Sequence, residues 1–180
     1  MSAVASRYAK ALFALAKEGH AVEQAADEIS RIVTVADDPV LGPVLRSPLL
    51  SAVRRQELAQ TLARELKLSP LLTRFLGLVA DHQRLGDLPA MSEYFQRLLD
   101  RELGRVRITI RSAAALEPAQ HDEVVAVFAQ LTGKRILPTV TVDPDLLGGV
   151  MVEVDGKVYD GSVRSQLDRL AKELSGTTAF

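Results

Sequence analysis

Near Gly104 the chain changes its hydrophobic period. Before that point apolar residues recur every three to four positions, the spacing of one helix face. After it they alternate in short stretches, the spacing of a half-buried strand. A chain of 180 residues with one such change is expected to be α+β, with an N-terminal six-helix bundle and a small C-terminal α/β domain carrying a mixed sheet. The expected domains are therefore 1–104 and 105–180, the second reading as βαββα, or βαβββα with its short returning strand counted.

Local signals delimit the helices. Helix one is expected over Ala3 to Lys17, closed at Gly19, and helix two over Val22 to Ala36, stopped before Asp38-Pro39. A short helix fits Pro39 to Arg46, with Ser47-Pro48 breaking it. Ser51 caps a fourth helix reaching Leu66, and Ser69-Pro70 opens a fifth that ends near Gln83, with Pro at its first position. The sixth runs from Leu88 to Leu103, with Leu88, Met91, Phe95, Leu98 and Leu99 facing a core.

Beyond Gly104, Val106, Ile108 and Ile110 alternate with Arg107, Thr109 and Arg111. Pro118 opens a helix whose inner face is read as Val124, Val127, Phe128 and Leu131, ended by Gly133. Thr139 to Val142 is the next strand, and the crossover predicts that it pairs parallel with the first. After the Gly148-Gly149 break, Val150, Val152 and Val154 form one face of a strand. Asp155-Gly156 supplies the positive φ angles of a tight hairpin turn, and Lys157-Val158-Tyr159 returns. Asp160-Gly161-Ser162 ends that strand, and the Ser162 hydroxyl is placed to cap a helix with Val163, Leu167, Leu170 and Leu174 on one face. Gly149, Gly156, Gly161 and Ser162 are thus the structural turn and cap positions.

Composition narrows the function. The net charge of −1 argues against a general nucleic-acid binder and against a polybasic membrane anchor. The absence of cysteine removes disulfides, thiolate metal sites and cysteine nucleophiles. No apolar run reaches the ~20 residues that span a bilayer. Residues 1–17 are helical and mildly basic but carry no cleavage signal, so they do not read as a leader.

Catalytic chemistry finds little support. His20, His82 and His121 have no ligand spacing, so no metal site is expected. Asp143 and Asp145 flank Pro144 as a strand-ending turn explains, and Ser162 is accounted for as a cap. Gly148-Gly149 leads into a strand, whereas a phosphate-binding loop opens a helix. No catalytic residue, cofactor or metal is assigned.

Two helices carry more apolar surface than one stripe. In helix one Ala5, Ala9, Leu12 and Ala16 are joined by Tyr8, Ala11 and Leu15. In helix five Leu72, Leu76 and Val79 are joined by Leu71, Phe75 and Leu78. Either both helices are buried all round, or the second stripes form an open groove for a partner helix.

Three motifs carry a family resemblance: Leu146-Leu147-Gly148-Gly149-Val150 continued by Asp155 to Leu170, Ser6-Arg7-Tyr8-Ala9-Lys10-Ala11-Leu12-Phe13, and Arg84-Leu85-Gly86-Asp87-Leu88-Pro89. In order and length the chain resembles the delta subunit of the bacterial F-type ATP synthase, related to the mitochondrial oligomycin-sensitivity-conferring protein. The resemblance implies a noncatalytic stator subunit that ties the catalytic head to the peripheral stalk. It implies a groove of Tyr8, Ala11 and Leu15 with Leu71, Arg74 and Leu78 that receives the alpha subunit's N-terminal helix. It places the b subunits on the C-terminal domain and the protein, as a peripheral subunit, on the cytoplasmic face of the bacterial inner membrane. Nucleic acid and direct membrane insertion are not expected. The competing reading is a helical adaptor or RNA-binding domain with an appended α/β domain, which would need a basic face beside exposed aromatics.

Overall fold

The computed structural model describes residues 3–47, 49–154 and 156–176. Among them the architecture is α+β, with eight α-helices and one four-stranded mixed sheet. The helices before the sheet are α1 (Ala3–Glu18), α2 (Val22–Ala36), α3 (Leu41–Leu45), α4 (Ala52–Glu65), α5 (Pro70–Asp81) and α6 (Leu88–Glu102). The remainder is β1 (Arg105–Ser112), α7 (Pro118–Thr132), β2 (Arg135–Val142), β3 (Val150–Val154), β4 (Lys157–Asp160) and α8 (Val163–Gly176). The chain forms two compact units, Met1–Leu99 and Asp100–Phe180. The division falls in the last turn of α6, where Asp100 pairs with Arg107 of β1.

In the first unit, α1 contributes Ala5, Ala9, Leu12 and Ala16 to a core completed by Ile29, Ile32, Leu72, Leu76, Val79, Leu88, Met91 and Phe95. The alanines let α1 approach its neighbours closely. Phe13 meets Phe95 edge to face at 5.4 Å. Of the residues expected to face the core from α6, Leu98 is only half-buried.

Helix ends follow local chemistry. Ser51 and Ser69 cap α4 and α5, accepting from the N–H groups of Arg54 and Leu72. α3 is shorter than the expected Pro39–Arg46. The Asp38 carboxyl group accepts from the N–H groups of Val40 and Leu41 at 2.8 and 2.9 Å, which holds Pro39 and Val40 in a turn. Pro48 lies outside the described residues. α1 ends at Glu18, just before Gly19, and the left-handed residue of its ending is His20, at φ 50°, after which the N–H of Ala21 reaches back to the carbonyl of Ala16. Lys67 and Gln83 repeat this ending after α4 and α5.

The second unit has strand order β2-β1-β3-β4. β1 and β2 pair in parallel, and β3 pairs antiparallel with both β1 and β4. Val106, Ile108, Ile110, Val152 and Val154 turn to one face and pack with Phe128 of α7. β2 starts at Arg135, earlier than the expected Thr139, and runs through Pro138. An edge strand tolerates proline because its outer backbone groups need no ladder partner. α7 seats on a different stripe from the one expected. Phe128 is buried and Val124 half-buried, but Val127 and Leu131 are exposed, and Val125 and Ala129 pack inward instead. This helix is apolar around most of its circumference, so periodicity could not select the inner face. Val163, Leu167 and Leu170 of α8 are likewise exposed, and the side chain of Leu174 lies outside the described residues.

Candidate helix-binding groove

α1 and α5 are neighbours through Tyr8. Its ring lies edge-on to Phe75 at 6.4 Å and to His82 at 6.3 Å between centroids. On each helix one stripe is consumed by the core. Ala5, Ala9, Leu12 and Ala16 are buried on α1, as are Leu72, Phe75, Leu76 and Val79 on α5. The second stripes stay outside. Tyr8 and Leu71 are half-buried, while Ala11 and Arg74 are exposed. Leu15 is 53% exposed and Leu78 48%. Phe75, read from sequence with the second stripe of α5, belongs instead to the core.

The result is a shallow apolar surface across two adjacent helices, with the small side chain of Ala11 on α1 and one cation, Arg74, on α5. Among the described residues Arg74 has no carboxylate within ion-pair distance. An amphipathic helix laid here could bury its apolar face on Leu15, Leu71 and Leu78 and meet Arg74 with an acidic group. Patterning gave no sign of two buried charged residues that hold α5, Glu28 and Arg55, because their partners lie far along the sequence.

The other candidates for chemistry resolve as structure. Asp143 accepts from the N–H of Asp145 and pairs with Arg111 at 3.5 Å, so it closes the turn after β2. Ser162 is buried and accepts from the N–H of Ser165 at 3.2 Å, capping α8. The Ser165 hydroxyl and the Ser162 N–H both donate to Asp160, which holds its carboxyl group below the usual carboxylate range. Gly149 and Gly156 adopt φ of 76° and 79°, and the N–H of Gly161 bonds to the carbonyl of Val150. Asp155 lies outside the described residues. Gly86 of the third motif lets the stem of Arg46 pass, its Cγ 3.0 Å from where a Cβ would stand, while the Arg46 guanidinium donates to the carbonyl of Ala36. His121 lies against Asp122, and no group of three or more His, Cys, Asp or Glu side chains among the described residues could hold a metal ion.

The family model described as ATP synthase delta (OSCP) subunit matches residues 4–174. The chain belongs to this family. Similar curated proteins named ATP synthase subunit delta include one from Citrifermentans bemidjiense, 36% identical over 94% of each chain. Another, from Anaeromyxobacter sp. strain Fw109-5, is 38% identical over 97% of this chain and 98% of that one. A chain in the cryo-EM structure of the Toxoplasma gondii mitochondrial ATP synthase hexamer superimposes with TM-score 0.74, at 21% identity over 96% of this chain and 98% of that one. That likeness is one of fold. The delta subunit is a noncatalytic component of the ATP synthase peripheral stalk. Among the described residues no helix is long and apolar enough to cross a membrane.

Proposed function

We propose that this chain is the clamp between the catalytic head and the peripheral stalk of a bacterial F-type ATP synthase. Residues 1–104, read as one six-helix bundle, take up the N-terminal helix of an alpha subunit in the groove formed by Tyr8, Ala11, Leu15, Leu71, Arg74 and Leu78. Residues 105–180 contact the C-terminal ends of the b subunits. The chain is then held at the cytoplasmic face of the inner membrane through its partners. Its role is mechanical: a head not tied to the stator would turn with the rotor, and the torque would not drive ATP synthesis.

The observation that carries this reading is the pair of second stripes left on the surface of two adjoining helices, with Leu15 and Leu78 about half exposed. A helix pair buried all round would have no surface to offer. On the C-terminal side, the exposed apolar face of α8 is a surface suited to a stalk helix.

Titration of the full chain with a synthetic alpha N-terminal peptide tests the groove. Ala11→Asp places a carboxylate in the desolvated contact while leaving the core untouched, so a near-normal melt and a binding loss of roughly a hundredfold, about 2.7 kcal/mol, are expected. Normal binding with a normal melt would falsify the groove assignment, and a collapsed melt would make Ala11 a core residue.

A further inference from the structure

α5 supplies half of the groove, and each of its ends is held by a charged side chain from another helix. At the N-terminal end Glu28 of α2 turns inward and is only 2% exposed. Its Oε2 accepts from both the N–H and the hydroxyl of Ser69, each at 2.8 Å, and its Oε1 accepts from Gln24 Nε2 at 2.8 Å. At the C-terminal end Arg55 of α4 is 7% exposed. It donates from Nε to the carbonyl of Ala80 at 3.2 Å and from Nη1 to the carbonyl of Leu50.

The signs suit the helix. A carboxylate sits where the field of α5 is positive and a guanidinium where it is negative. All three bonds to Glu28 use it as an acceptor, as an ionised carboxyl group requires. Yet nearly full burial of two charges is a weak way to stabilise a fold, and apolar side chains of similar volume often do as well or better. Directional bonds supply something apolar contacts do not. A helix packed only through Leu72, Leu76 and Val79 can slide or rotate slightly at little cost. A helix tied at both termini cannot.

We propose that Glu28 and Arg55 are positioning residues for the groove. They fix the axial position and rotation of α5, so that Leu71, Arg74 and Leu78 stand at the height and angle an incoming helix needs. This rests on the groove reading above. A purely structural role would lower the melting temperature and leave affinity unchanged well below the melt. A positioning role lowers affinity in chains that remain folded.

The experiment uses the full chain, the alpha N-terminal peptide, and calorimetric titration well below each variant's melt. Glu28→Gln keeps the size of the side chain but removes its charge, and its one carbonyl oxygen cannot accept from Ser69 and from Gln24 on opposite sides at once. Arg55→Met keeps the stem and loses the fork. Each is expected to weaken peptide binding about tenfold, and the NMR ring contacts of Tyr8 with Phe75 and His82 are expected to shift in the free protein. Folded variants with unchanged affinity and unchanged ring contacts overturn the proposal. Should Glu28→Gln fail to fold, Glu28→Asp, which shortens the tie by one methylene, carries the same expectation. Absence of peptide binding by the unaltered chain sinks the groove reading instead, and the ring contacts still decide whether Glu28 and Arg55 set the place of α5.

Discussion

The backbone of Gly149 lies so close to the carbonyl oxygen of Gly161 that a Cβ on residue 149 would overlap it, at a φ of 76°. Gly156 shares the left-handed conformation at 79°, but a Cβ there would meet nothing within 4 Å. Two glycines that look alike in sequence therefore differ in consequence.

Gly156→Ala should destabilise by about 1 kcal/mol, the conformational term alone. Gly149→Ala adds a collision between backbone segments and should reach about 3 kcal/mol. Amide exchange across β3 and β4 measures both. Equal effects would mean that the approach of Gly161 is relieved without strain.

His20 and Lys67 are non-glycine residues in the left-handed position that ends α1 and α4. His20→Gly and Lys67→Gly should each stabilise the chain by about 0.5 kcal/mol or more, because relief of the left-handed penalty exceeds the added freedom of the unfolded chain. Both side chains are exposed, so little packing is lost. A lower melting temperature for both variants would count against the helix endings described.

Asp160 titrates below its ordinary value of 3.8, first because the Ser165 hydroxyl donates to it and then because the Ser162 N–H does. A carboxyl group depressed on folding adds stability above its unfolded pKa and loses it as pH falls through the lower folded value. The cap of α8 should therefore loosen only below about pH 4. Ser165→Ala should move the Asp160 titration upward, read from its side-chain carboxyl carbon by NMR. An unmoved titration would show that the hydroxyl is not the main cause.

Leu167 of α8 is 53% exposed. If α8 takes up the stalk, Leu167→Asp should leave the melt of the isolated chain nearly unchanged and reduce co-purification with the b subunits. A large drop in melting temperature would show instead that the α8 face is covered within the chain.

The legible parts of this fold were those written in adjacent residues. The Ser51 and Ser69 caps, the ends of α2 and the hairpin after Gly149 all rest on signals a few positions long. Choices between equally apolar faces were not legible. α7 could seat on either of two stripes, and only the shape of the sheet beneath selected Val125 and Ala129 over Val127 and Leu131. The groove was legible as a surplus of apolar positions on α1 and α5, but Phe75 had to be assigned to the core by the fold itself. Glu28 was not legible at all, since its partner Ser69 stands 41 residues away.

Pro138 in β2 also bears on what happens before assembly. A free subunit waiting for its partners is at risk of strand addition along open sheet edges, the first step toward aggregates. Here one edge strand contains a residue with no backbone N–H, and the other, β4, has only four residues. Neither offers a long row of donors and acceptors to a second copy. Contacts made by this unit should then be made by side chains on its surface, which can be matched to one partner, and not by a backbone edge that would accept any strand.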